Sequence, residues 1–180
     1  MALLVLSVVG SDRPGLTNAL AGAVLAAGGN WLESHLSRLG GLYVGSVLVE
    51  LAGERVEALR AAVRAVDAQG LEVRIVPAVE APGDTGAAVG GGEALQLSLV
   101  GQDRPGIVNQ VTAALSGEGA NIEAFETSVS AEPHSGMPLF HLEARVRLPP
   151  GLDAGQVQAA LQAISAEVMV DISVSPLAAR

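Results

Sequence analysis

The chain has 180 residues, 49% of them hydrophobic and 16% charged, which is enough apolar surface to offset the ordering entropy of one or two compact domains. Ten Lys and Arg against nineteen Asp and Glu leave a formal charge of −9, the wrong sign for a surface that neutralises phosphates, so direct nucleic-acid binding is not expected. With no cysteine there is no disulfide, thiolate nucleophile or cysteine-held metal. That composition fits the cytoplasm, and the apolar start at residues 1–9 is too short for a membrane span and lacks a basic leader.

Residues 3–9 form an almost continuous apolar run closed by Gly10, the pattern of a strand buried in a sheet. Leu16, Ala19, Leu20, Ala23, Val24 and Ala27 then recur at helical spacing and stop at Gly28-Gly29, where a left-handed cap costs little. Pro14 suits the first turn of that helix, and Asp12 is placed to cap its free backbone donors. Two strand-like stretches, 30–39 and 42–51, flank Gly40-Gly41, the kind of pair a two-residue hairpin needs. Val56, Leu59, Ala62, Val63 and Val66 mark a second helix closing at Gly70, and residues 71–79 a last strand. The order is βαββαβ.

Residues 81–93 have the glycine-rich composition of a flexible linker, after which the order repeats: strand 94–100, helix 105–117, strands near 121–130 and 139–148, helix 154–167 and strand 168–174. The repeat is also literal. At a constant offset of 91, thirteen positions between Leu4 and Trp31 are identical in the two copies, where unrelated segments share about two. Leu42-Tyr43 realigns with Leu139-Phe140 at an offset of 97, so the second copy has gained six residues, best placed in the loop 132–138 that holds His134. Trp31, Tyr43, Phe125 and Phe140 all fall in strands and read as core or interface.

Two α+β ferredoxin-like sandwiches are therefore expected, with antiparallel sheets and helices on one face, at 1–80 and 94–176. Modules this small gain stability by packing on each other, and an edge or helix face left over favours a homodimer.

The shared motif is Asp12-Arg13-Pro14-Gly15 and Asp103-Arg104-Pro105-Gly106. A strand-to-helix turn of this kind offers backbone N–H groups at the positive end of the helix dipole, a place for a carboxylate or phosphate, although its glycine can equally serve backbone conformation alone. Asn30 and Asn121 open the next strand and are expected on the side of the module where that turn lies; their amides can donate and accept, as a zwitterion requires. Asp12-Arg13 and Asp103-Arg104 read as a helix cap with a surface arginine more readily than as an acid–base pair.

Asp-Arg-Pro-Gly opening the first helix, followed some fifteen residues later by Gly-x-Asn and an aromatic or aliphatic residue, resembles the ACT domain; the tandem, stand-alone form resembles the glycine cleavage system transcriptional repressor family. The resemblance implies regulatory modules that pair side by side and bind amino acids at the interface, using the turn before the first helix and the strand after it. Carried onto this chain, it implicates Asp12, Gly15, Leu16 and Asn30 in one copy and Asp103, Gly106, Ile107 and Asn121 in the other, with Ser11 and Gln102 flanking the turns and differing between copies. It also implies a non-enzymatic sensor of an amino acid, glycine or serine being candidates, that acts on a regulator protein or enzyme and needs no cofactor.

Two rival readings remain open. An acylphosphatase-like hydrolase on this fold also uses an Arg in the strand–helix loop and an Asn near a following strand, but Pro14 and Pro105 directly after the arginines remove one backbone donor from such a cradle. The other is an interaction module with no ligand. His35, His134 and His141 share no metal-ligand spacing, and no metal site is expected.

Overall fold

Leu4, Leu6 and Val8 alternate with half-buried or exposed neighbours along the first strand, so one side of that strand must be covered. What covers it is a pair of helices. In a computed structural model that describes residues 1–78, 92–132 and 135–177, with backbone alone at 166–168, the chain divides into two compact units, Met1–Glu80 and Ala81–Arg180. Most of the expected linker, the end of the expected strand at Val79, and His134 lie outside the described residues.

The first unit runs β1 (Ala2–Ser11), α1 (Leu16–Ala26), β2 (Asn30–Leu39), β3 (Leu42–Leu51), a 3-10 turn at Gly53–Arg55, α2 (Val56–Asp67) and β4 (Leu71–Pro77). The second runs β5 (Ala94–Gln102), α3 (Ile107–Gly117), β6 (Asn121–Ala131), β7 (Pro138–Arg147), α4 (Ala154–Val168) and β8 (Val170–Pro176). Each unit is a four-stranded antiparallel sheet, ordered β2-β3-β1-β4 and β6-β7-β5-β8, with the helices on one side: tandem ferredoxin-like α+β sandwiches. Both sheets carry an irregularity at the same place, Trp31/Glu33 and Ile122/Ala124.

The first core joins Leu4, Leu6 and Val8 to Val47, Val49 and Leu51 of β3 and to Leu20 and Val24 of α1 and Leu59 and Val63 of α2. The second repeats it with Leu95, Leu97, Leu99, Leu142, Val146, Val111, Leu115, Val157 and Leu161. Trp31, Tyr43 and Phe125 pack against these cores and Phe140 is inside its own. Gly40-Gly41 closes the β2–β3 hairpin as a two-residue turn.

Strand ends shift by one or two residues, and two features at the helix starts and one at the last strand differ from the sequence reading. Both first helices start two residues after their prolines, because Gly15 and Gly106 sit in the left-handed region (φ 93° and 98°) and act as N-caps, leaving Pro14 and Pro105 in the turn. Neither Asp12 nor Asp103 caps its helix, since neither N-terminus has a side-chain cap; the aspartate that does cap is Asp153, whose carboxylate accepts from Gly155 N–H at 3.0 Å ahead of α4. The last strand begins at Val170 rather than 168, because α4 continues to Val168 and ends on Met169 in the left-handed region (φ 52°).

The helix-free faces of the two sheets differ sharply. By the strand registers, β1 and β3 present Leu3, Val5, Ser7, Val9, Val44, Ser46, Leu48 and Glu50 there, with Glu33 and His35 on β2 and Glu72 and Arg74 on β4. The corresponding positions of the second sheet hold Ala94, Gln96, Ser98, Val100, His141, Glu143, Arg145 and Arg147, with Ala124 and Glu126 on β6 and Asp171 and Ser173 on β8.

Candidate functional site

A helix that opens on an uncapped residue leaves its first backbone donors unsatisfied. In α1 and α3 this holds twice over, because no acidic residue lies in either first turn to answer the dipole. Ala19 N–H and Gln110 N–H are the first to find helical partners, the carbonyls of Gly15 and Gly106 at 2.8 and 3.0 Å. Leu16 and Ile107, 5% and 2% exposed, sink into the cores. Asp12, Gly15, Gln102, Asp103 and Gly106 lie exposed and Ser11 half-buried around these helix starts.

Neither motif glycine is there to admit a neighbouring backbone: a Cβ added to Gly15 or Gly106 meets no atom within 4 Å, so what demands glycine is the positive φ. Close approach does operate one turn earlier, at Gly10 and Gly101, where a Cβ would run into the Gly70 carbonyl and into Val170. The recurrence of that glycine at the offset of 91 was the available signal.

The asparagines are not where the sequence reading put them. Asn30 pairs with Glu50, and Glu50 with Leu3, whereas the turn follows Ser11, which pairs with Leu42. Eight residues of strand separate the two levels, roughly 27 Å. Asn121 is likewise level with Ala94 through Arg147, at the far end of β5 from Gln102. The physical reason is that α1 carries the chain back along β1, so β2 starts beside the start of β1 and runs parallel to it. Within one module the turn and the asparagine cannot touch one small ligand.

What lies near the turns instead are residues at the ends of β2, β3 and α4 that no motif marked. In the first module Asp12 pairs with Arg38 (Oδ2 to Nε, 3.3 Å), and the Thr17 and Tyr43 hydroxyls are 2.7 Å apart. The second module has Val129, Val108 and Phe140 at the three matching places, so neither contact exists there; Asp103 N–H donates to the Pro138 carbonyl at 3.1 Å, and Arg104 turns to Gln102 Oε1 at 3.2 Å and Met169 Sδ at 3.9 Å. Among the described residues Asp103 has no ion-pair partner. The two turns are thus alike in backbone and unlike in surroundings.

Among the described residues no group of His, Cys, Asp or Glu is placed to hold a metal, and no helix is long and apolar enough to cross a membrane.

Over 98% of its length the chain superimposes on 99% of a protein of unknown function from Galdieria sulphuraria, with a TM-score of 0.82 and 30% identity. Over 98% of its length it also matches 97% of a candidate glycine cleavage system transcriptional repressor, with a TM-score of 0.67 and 19% identity. No curated protein matches the chain in sequence. The family model of the ACT domain matches it twice, at residues 2–76 and 93–175. The chain belongs to the ACT domain family and carries two copies of the domain in tandem.

Proposed function

We propose that this is a non-enzymatic, amino-acid-binding regulatory protein whose sites form when two modules, of one chain or of two, align side by side. The observation that carries the reading is the uncapped, acid-free helix start on a left-handed glycine, present in both modules. Such a start holds a carboxylate by charge-assisted backbone hydrogen bonds.

The far placement of the asparagines gives the rest. β2 and β6 are edge strands of 10 and 11 residues, and joining two such edges antiparallel brings the Asn end of one module to the turn end of the other. Asn30 then serves the Asp103–Gly106 turn, or Asn121 the Asp12–Gly15 turn, with the amide carbonyl accepting from the ligand's ammonium group. The opposite edge of the first sheet is less open, since Asp67 Oδ1 accepts from the outward Val73 N–H at 2.9 Å.

Glycine and serine are the ligand candidates, on the likeness to the candidate glycine cleavage repressor. With a charge of −9, action is through a protein partner rather than DNA, in the cytoplasm. The hydrolase reading loses ground because Arg13 and Asn30, which it needs together, stand at opposite ends of one module.

Titration calorimetry of the full chain with a panel of amino acids tests this. One small amino acid should bind, and Asn30→Ala or Asn121→Ala should weaken it at least tenfold, about 1.4 kcal/mol. If no amino acid binds, the module is a ligand-free interaction domain; if binding survives both substitutions, the site lies elsewhere.

A further inference from the structure

The helix-free face of the first sheet is built as an interface. Its two central strands give Leu3, Val5, Val9, Val44 and Leu48, broken in the middle only by Ser7 and Ser46, while Glu50 lies towards one end of β3 and Glu33, His35, Glu72 and Arg74 sit on the outer strands. An apolar centre with a charged rim is the anatomy of a protein-binding patch. We infer that its occupant is the same face of a second copy of this chain, giving a face-to-face homodimer with the two-fold axis running along the strands.

Three observations fix that occupant. The duplicated module is a poor match, because its corresponding face would bury Gln96, Glu126, Glu143 and Arg145 against hydrocarbon. The face is self-complementary about an axis along the strands: β3 then lies over the partner's β1, with Val44 facing Val9, Leu48 facing Val5 and Ser46 facing Ser7, each at a common level of the sheet. The same axis lays β4 over the partner's β2, where Arg74 falls level with His35 and two residues, one step along the same face, from Glu33, and Glu72 falls level with Ser37 and the same step from His35. An axis across the strands would instead set Arg74 on Arg74 and His35 on His35.

Size points the same way. Four strands about 4.8 Å apart with roughly 27 Å of shared length offer on the order of 500 Å². Two such faces bury about 1,000 Å², the lower edge of specific interfaces, so the dimer should be reversible and concentration-dependent. It leaves the edges β2 and β6 free for the side-by-side pairing proposed above and does not depend on it.

The second module supplies a benign way to erase the patch. Val5→Gln, Val44→His and Leu48→Arg install the residues that the same fold already tolerates at Gln96, His141 and Arg145. Sedimentation equilibrium of the full chain from about 1 µM to about 1 mM should show a monomer–dimer equilibrium, lost in the triple variant with its circular dichroism unchanged. Because the chain has no cysteine, mixing separately made Ser7→Cys and Ser46→Cys chains under mild oxidant should give a disulfide-linked heterodimer far faster than either variant gives homodimer. A monomeric parent over that range, a triple variant that still dimerises, or cross-linking with no preference for the mixed pair would each overturn the inference. Should the triple variant not fold, the mixed-cysteine experiment decides alone.

Discussion

On the first sheet's open side Val5, Val44 and Leu48 stand where the second has Gln96, His141 and Arg145, while on the covered side Leu4 and Leu6 stand where the second has Leu95 and Leu97. The two sides have diverged at different rates because they answer to different constraints. Helix-facing positions are locked by packing against two helices, where a lost methylene is felt. Open-face positions answer only to what touches them. The second module shows what replaced hydrocarbon there: Glu123, the extra residue at its β-bulge, accepts from Arg147 Nε at 2.9 Å and pairs with Arg145 Nε at 3.1 Å. The matching trio in the first module is Leu32, Leu48 and Glu50. One acid and two arginines form a set of compensating charges; two leucines ask for cover.

The largest effects belong to the side the copies share. Leu6→Ala and Leu97→Ala, at matching sites 0% and 1% exposed, should each cost about 2–5 kcal/mol. The single tryptophan, Trp31, packs on the first core, so urea unfolding followed by fluorescence reports the first module while circular dichroism reports both. A loss confined to one of the two variants breaks the claim that the cores are equivalent.

Next come the motif glycines. Gly15→Ala and Gly106→Ala should each cost about 1–2 kcal/mol, purely from the positive φ, since the new methyl meets nothing. Asparagine, which tolerates that region better, should recover part of the loss in the same unfolding experiment. Equal costs for Ala and Asn would mean that something other than φ demands glycine.

These same residues show what could be read from the sequence. Strand alternation and helical spacing, both set by local geometry, placed every strand and α-helix but not the 3-10 turn at Gly53–Arg55, and the duplicated motif fixed the architecture. Helix starts were read two residues early because Pro14 and Pro105 fit a first helical turn as well as they fit the turn ahead of it, and only the backbone conformation of Gly15 and Gly106 separates the two. The asparagines were misplaced because sequence proximity to a helix end says nothing about which end of the sheet the chain has reached; that follows from β1 and β2 running parallel. Arg38, Tyr43 and Thr17 carry no motif, and only the contrast with Val129, Phe140 and Val108 picks them out.

A smaller effect sharpens that contrast at the turns. Arg38→Val copies Val129 into the first module and removes the Asp12 ion pair, whose members are 71% and 42% exposed at the side chain. Such pairs contribute about 0–1 kcal/mol and fade with salt. Thermal unfolding should therefore register a slight loss at low ionic strength that disappears in about 1 M salt. A loss that persists at high salt would mean that Arg38 acts through packing rather than charge.

The smallest effect is one of pH, and it separates the open faces chemically. Glu143 is held below its ordinary value of 4.5 by the Ser98 hydroxyl and then the Gln96 amide, whose Nε2 donates to Oε2 at 2.9 Å, with slight burial opposing them. The first module has Ser46 at that position and nothing there to titrate in this range. A carboxyl whose pKa is depressed by folding binds fewer protons in the native state, so its contribution is complete above the unfolded value and is lost as pH falls through the lowered native one. Glu143→Gln keeps the shape and removes the ionisation. The parent should hold a small advantage over this variant at pH 7, well under about 1 kcal/mol because the group is solvent-exposed. That advantage should shrink once the pH drops below 4.5, in unfolding curves followed by circular dichroism. An advantage that stays constant from pH 7 into acid would mean that the two hydrogen bonds favour the protonated carboxyl as much as the ionised one, and the polar dress of the second face would then owe nothing to charge at this position.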